Sequence, residues 1–255
     1  MLPEHPPLPP APNEVNVARV RAAYDLAAEQ YDSAYTHPKD EAENRFVLKT
    51  LQPLIVQPVL DAGCGTGFLL DRAAIDAANY LGVDISPGML AKAQQKHPRH
   101  TFVATSMEDT GLAGGAFGSV VSLFGCFNYL LQPVTAVTEF ARLLKPDGTL
   151  FMLVCTPRHH VRASYVLGKQ GTPVPRRLYT AAEVYALLLP WFVDIKITGM
   201  SYVIDWLPKW TPQWAADLVM WAEQRLFSTQ RPDEGYYLMV TARKVPEASV
   251  FSFPR

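Results

Sequence analysis

The chain has 255 residues, 49% hydrophobic and 18% charged, with a formal net charge of −1, which fits one α/β core carrying a small insertion. That near-neutral balance excludes binding by broad phosphate neutralisation, so no nucleic-acid partner is expected. No apolar run reaches the roughly 18 residues of a membrane span, the start lacks a secretory-leader layout, and the odd, scattered set Cys64, Cys126 and Cys155 reads as reduced packing thiols without metal-ligand spacing, so a cytoplasmic protein with no membrane partner and no metal is expected.

Six prolines among residues 1–12 predict an extended, disordered tail. Residues 13–245 read as one domain, with a helical cap at 13–55, insertions at 156–178 and 202–230, and a second tail at 246–255. In the cap, Val17, Val20, Tyr24, Ala27, Ala28 and Tyr31 recur at helical spacing over 15–35, with a break near the end of that helix. A second helix is expected over 41–54, stopped at Pro53.

Val59 and Leu60 form a short apolar strand, followed by glycine at every second position, Gly63, Gly65 and Gly67, and an apolar helix start over 68–74. Glycine has no Cβ and accepts positive φ, so such a turn lets backbone approach a ligand closely, and the helix N-terminus beyond it adds unpaired N–H groups. A dinucleotide fingerprint G-x-G-x-x-G needs glycine where Phe68 stands, which weighs against nicotinamide cofactors.

Residues 81–85 read as strand two, with Asp84 at its tip, where a carboxylate can accept both hydroxyls of a ribose. Ser86 and Pro87 cap and open a helix over 88–97. Strand three covers 101–104 and leads into Ser106-Met107-Glu108-Asp109, and strand four covers 119–124. Ligands of open parallel sheets bind at the carboxyl ends of strands, so Phe124 to Tyr129 border the site by topology, with Asn128 and Tyr129 as candidate substrate-orienting or catalytic groups.

A helix over 134–144 ends at Lys145-Pro146-Asp147-Gly148, and strand five covers 149–155. The following basic stretch reads as a lid-like loop in which His159 or His160 is a candidate general base. Thr180 and Glu183 form a capping box, strand six covers 192–199 and strand seven 235–244. Between them stand four of the five tryptophans; Trp214, Leu218, Trp221 and Leu226 read as a helix packed on the sheet, and Trp206 and Trp210 as an apolar wall for substrate or a dimer contact.

Asp61-x-Gly63-x-Gly65-x-Gly67, Asp84 and the run Leu144-Lys-Pro-Asp-Gly-Thr-Leu150, in this order, resemble the class I S-adenosylmethionine (SAM) methyltransferases over roughly residues 24–153. The resemblance implies a Rossmann-like methyltransferase fold: a doubly wound, seven-stranded, mostly parallel sheet with strand seven antiparallel between five and six. It implies a SAM site in which Asp61, Gly63 and Gly65 hold the methionine end together with the main chain of Phe124. Asp84 would hold ribose, Ile85 and Met107 would flank adenine, and Tyr24 or Tyr31 of the cap would close over the cofactor. Ser106 stands where the family often has an adenine-binding aspartate, a departure. The expected function is methyl transfer to an O, N or C nucleophile of a small molecule, leaving S-adenosylhomocysteine, by a monomer or homodimer. A SAM-binding protein without methyl transfer or with other SAM chemistry, and a nicotinamide-dependent oxidoreductase, are the alternatives.

Overall fold

Strands β1 (Val59–Ala62) and β4 (Phe117–Ser122) are buried at every position. They lack polar alternation because helices cover both of their faces. The structure, a computed structural model, describes residues 12–158, 174 and 176–246. The remaining strands are β2 (Tyr80–Asp84), β3 (Thr101–Ala104), β5 (Leu144–Cys155), β6 (Phe192–Met200) and β7 (Tyr237–Lys244). All seven form one sheet in the order β3-β2-β1-β4-β5-β7-β6. The first five pair in parallel, and β7 runs antiparallel between β5 and β6. This is the doubly wound arrangement expected from the sequence, including the direction of the last strand.

Seven helices accompany the sheet among the described residues: α1 (Pro12–Ala27), α2 (Pro38–Leu51), α3 (Phe68–Arg72), α4 (Pro87–Lys96), α5 (Pro133–Leu143), α6 (Ala181–Leu188) and α7 (Gln213–Phe227). Their starts follow local chemistry. Ser86 Oγ accepts from Met89 N at 3.1 Å, with Pro87 in the first turn where no N–H is missed. Thr180 and Glu183 make the expected reciprocal cap on α6. His37 and Asp40 make a second such box on α2. One core layer joins Leu60, Val120, Leu150 and Val240 of the sheet to Phe140 of α5 and Leu188 of α6. The other joins Val59, Val121 and Phe151 to Val47 and Leu51 of α2 and Met220 of α7. A fully buried phenylalanine such as Phe140 contributes about 1.5–3 kcal/mol by removal from water.

Three expectations are corrected, and one, the break in the first helix, is met. The helix after the glycine turn has five residues, little more than one turn, so the turn's own backbone rather than a helix dipole shapes the site. β5 begins at Leu144, because Leu144 pairs with Phe117 before a register shift to Ser119 and Thr149, with Asp147 at φ 59° inside the irregularity. The break in the first helix takes the form of two 3₁₀ turns, Ala28–Gln30 and Asp32–Ala34. The tryptophan helix presents Trp214, Leu218 and Trp221 outward and buries Ala216, Met220 and Glu223. His159 and His160 lie outside the described residues, as do residues 1–11 and 247–255 and most of the basic insertion, whereas Pro12, placed in the expected tail, opens α1.

Candidate functional site

Gly63, Gly65 and Gly67 all hold positive φ, at 80°, 54° and 89°. A Cβ on Gly63 would stand 2.6 Å from Cys126 Cβ, so only glycine lets this turn press against the residues after β4. A Cβ on Gly65 would meet nothing within 4 Å, because this stretch of backbone faces open space. Gly63 N and Cys64 N both donate to Val83 O, at 2.8 and 3.0 Å, tying the turn to β2. Gly65 N then donates to Asp84 Oδ2 at 3.0 Å, and Ser86 N to Asp84 Oδ1 at 2.9 Å. The Asp84 carboxylate is thus aimed by two backbone donors, and each oxygen keeps acceptor capacity for a ligand. Burial raises its pKa and these N–H groups oppose the rise. Asp61, buried at the end of β1, accepts from Tyr80 OH at 2.9 Å and is pushed up to about 7 by burial.

The cap is fastened to this cradle by two aspartates that follow tyrosines seven residues apart. Asp25 Oδ1 accepts from Ser86 Oγ at 2.6 Å and Gly88 N at 2.8 Å, so α1 docks on the start of α4. Asp32 Oδ1 accepts from Thr66 Oγ1 at 2.6 Å, and its other oxygen pairs with Lys96 at 3.0 Å. Between these anchors Tyr24 packs against Tyr31 and edge-on to Tyr129, with ring centroids 6.1 and 5.7 Å apart. Burial raises all three phenols, leaving them neutral hydrogen-bonding groups rather than bases.

A cavity of about 1000 Å³ opens between cap and sheet at the carboxyl ends of β1, β2 and β4. This is the topological switch point, where the chain crosses to opposite sides of β1. Tyr24, Tyr31, Asp61, Gly63, Gly65, Asp84, Ile85, Ser106, Met107, Phe124 and Tyr129 all border it. Phe124 holds φ 50° and packs edge-on to Phe68, centroids 5.0 Å apart. Ser106 Oγ accepts from Glu108 N at 3.2 Å, a local use for the hydroxyl at the departing position.

Asn128 is corrected. It is fully buried and does not border the cavity. Its amide nitrogen donates to Cys155 O and Arg177 O at 3.0 and 2.6 Å, and its amide oxygen accepts from Cys155 N at 2.8 Å. It stitches the end of β5 to the segment before α6 and leaves nothing for a substrate. Trp206 and Trp210 do not border the cavity either, although Asp205, Leu207 and Lys209 between and beside them do.

The outer cavity also holds residues that sequence reasoning passed over. His37, Lys39, Glu43 and Asn44 come from the start of α2, and Tyr237 from β7. Burial lowers the His37 pKa, and its Nδ1 accepts from Lys39 N at 3.0 Å. The neutral ring therefore carries its proton on Nε2 and is a donor, not a base. Nothing in the local sequence marks these residues. The seven-residue Tyr-Asp repeat, Tyr24-Asp25 and Tyr31-Asp32, was a usable signal for the anchoring aspartates.

A SAM-like ligand fits this site on three observations: an aimed, half-buried carboxylate at Asp84, open space beside Gly65, and ample cavity volume. Residues 60–152 match the family described as "Methyltransferase domain". The chain is 28% identical over 145 residues to a malonyl-[acyl-carrier protein] O-methyltransferase of Serratia marcescens, covering 55% of this chain and 54% of that protein. It is 33% identical over 142 residues to a ubiquinone/menaquinone biosynthesis C-methyltransferase of Syntrophotalea carbinolica, covering 52% of this chain and 60% of that one. The chain thus spans little more than half the length of the curated relatives it matches. Among solved structures, a SAM-dependent methyltransferase of Thermotoga maritima superposes with a TM-score of 0.63 at 14% identity, over 88% of this chain and 98% of that one. Residues 60–152 thus match a methyltransferase domain, and the glycine turn and sheet order are similar to those of the class I, Rossmann-like, SAM-dependent methyltransferases.

Proposed function

We propose that the chain binds SAM between cap and sheet and transfers its methyl group to an O, N or C nucleophile of a small molecule. The observation that carries this reading is the Asp84 carboxylate, fixed by Gly65 N and Ser86 N at the rim of the cavity. Asp84 would accept the ribose hydroxyls. The backbone at Gly63 and Gly65 and the main chain of Phe124 would hold the methionine end. Ile85 and Met107 would flank adenine, Ser106 would lie beside it, and Tyr24 and Tyr31 would close the site from the cap. Residues 13–245 act as one domain in this reading, with 13–55 as the closing element.

When bound, SAM supplies an electrophilic methyl on a sulfonium. The chain's part is then proximity and orientation, and a base is needed only for a nucleophile that arrives protonated. The substrate would occupy the outer cavity, where His37 Nε2 donates, and Phe68, Tyr35 and Tyr237 offer apolar surface. A concave cavity of this size between cap and sheet favours a small acceptor over a polymer. A cytoplasmic setting belongs to the same reading, supported by three free cysteines, of which Cys64 and Cys126 are pushed up by burial.

Calorimetric titration with SAM and S-adenosylhomocysteine tests the cofactor. Asp84→Ala should weaken binding by about 1.5–3 kcal/mol, roughly ten- to hundred-fold in Kd, in a variant whose circular dichroism is unchanged. S-adenosylhomocysteine release across a panel of small nucleophiles then tests methyl transfer. Well-folded protein that binds neither compound would overturn the reading.

A further inference from the structure

The largest apolar side chains of the molecule's second half point into solvent. Trp206, Trp210, Trp214, Leu218 and Trp221 are 79%, 82%, 69%, 55% and 57% exposed. The last three lie on one stripe of α7, at i, i+4 and i+7, with Arg225 completing it at i+11. Trp206 and Trp210 stand on the segment leading into that helix, each four residues before the next tryptophan. Scattered exposed apolar residues need no explanation; three on one helical stripe, with two more tryptophans exposed on the segment before it, do.

Charge selects the occupant. Residues 202–227 contain three acids, Asp205, Asp217 and Glu223. Lys39 Nζ holds Asp205 at 2.5 Å, an Arg45 guanidinium nitrogen holds Asp217 at 2.8 Å, and Glu223 is buried with its Oε2 on Val203 N. The segment's two cations, Lys209 and Arg225, are exposed, and Arg225 lies over the Trp221 ring at 5.3 Å. A surface of tryptophan and base, with its acids paired or turned inward, complements the interfacial region of a negatively charged bilayer. A two-fold contact with a second copy would bring this same cationic patch against itself without an acidic partner.

We infer that this tryptophan face docks the protein peripherally on an anionic lipid surface. Docking departs from the expectation of no membrane partner, which rested on the lack of a spanning run; no helix among the described residues is long and apolar enough to cross a membrane. Lying on a bilayer is a different physical claim. Asp205, Leu207 and Lys209, interleaved with Trp206 and Trp210, border the cavity, so docking sets the cavity rim beside the lipid. Resting on the methyltransferase reading, the methyl acceptor is then an amphiphile drawn from that surface.

The test is co-sedimentation of the full chain with vesicles of phosphatidylcholine alone or mixed with phosphatidylglycerol, alongside tryptophan emission and analytical ultracentrifugation. Docking predicts partition onto the mixed vesicles with a blue-shifted emission, weakened by salt. The double variant Trp214→Ala/Trp221→Ala should lower the partition coefficient by at least about tenfold, and Arg225→Glu should lower it too, with thermal melts unchanged. Absence of partition onto either vesicle overturns the inference, as does a stable dimer that dissociates in the tryptophan variants and ignores lipid. SAM titration of the same preparations separates the two readings. Vesicle binding without SAM binding removes only the methyltransferase proposal, and the converse removes only docking.

Discussion

Helices α5 and α7 both carry apolar residues at helical spacing and use them in opposite ways. α5 turns Val137, Phe140 and Ala141 into the core, and its exposed positions near its start are Val134 and Thr135. α7 turns Trp214, Leu218 and Trp221 out, and packs on α2 and the sheet through Ala216, Met220 and Glu223. Periodicity identifies residues that share a face. It does not say which medium that face meets. The missing information lies in the partner surface: α2 and the sheet seat Ala216, Met220 and Glu223, and no periodicity within α7 names that partner.

The sharpest way to break this contrast is to truncate the inward face of α5. Phe140 is fully buried and meets Phe127 at a centroid distance of 6.5 Å. Phe140→Ala should cost about 3–5 kcal/mol from lost transfer energy and the cavity left behind, read as a drop in the urea midpoint. A loss below about 1 kcal/mol would mean that the α5 seat collapses freely and is not the rigid layer described.

Residues governed by chain-local rules were legible. The three glycines, the Ser86 cap and the Thr180–Glu183 box follow from backbone geometry within a few residues. Asp84 was legible because strand-tip position follows from the βαβ pattern. Asn128 was misread because its three bonds go to Cys155 and Arg177, 27 and 49 residues away in sequence, which no local pattern encodes. His37 was passed over for the same reason: it caps a helix that begins at Pro38, ahead of the expected start at residue 41, and only tertiary folding turns that cap toward the cavity.

The inward face of α7 supplies the second test, because it buries a carboxyl where α5 buries a ring. Glu223 is pushed up to about 7 by burial, against its backbone donors, with Glu43 raising it further. Its Oε1 has no hydrogen-bond partner among the described residues. The unfolded chain releases this proton near the ordinary carboxylate range, whereas the folded chain keeps it to about pH 7. Between those limits the folded state binds more protons, so stability falls as pH rises. The contribution is fully present below the unfolded pKa and lost through the folded one. The scale is about 3 kcal/mol, an upper bound. Glu223→Gln should flatten that slope in denaturation curves taken from pH 4.5 to 8 and should stabilise the protein at the alkaline end. An unchanged slope would assign the pH dependence to other groups, Asp61 first.

The smallest expected effect completes the comparison, because it concerns the face that α7 leaves in water. Trp214 is 69% exposed, so its indole is already hydrated in the folded state and little burial is lost on replacement. Trp214→Ser should therefore change stability by no more than about 0.5 kcal/mol, against the several kcal/mol expected for Phe140→Ala. Urea unfolding of the two variants side by side measures this difference directly. A cost above about 2 kcal/mol for Trp214→Ser would mean that the indole is buried in solution by this chain or a second copy, and the outward reading of α7 would fall with it. A near-zero cost leaves a large apolar side chain that the fold does not use, and its role must then lie in what the protein touches.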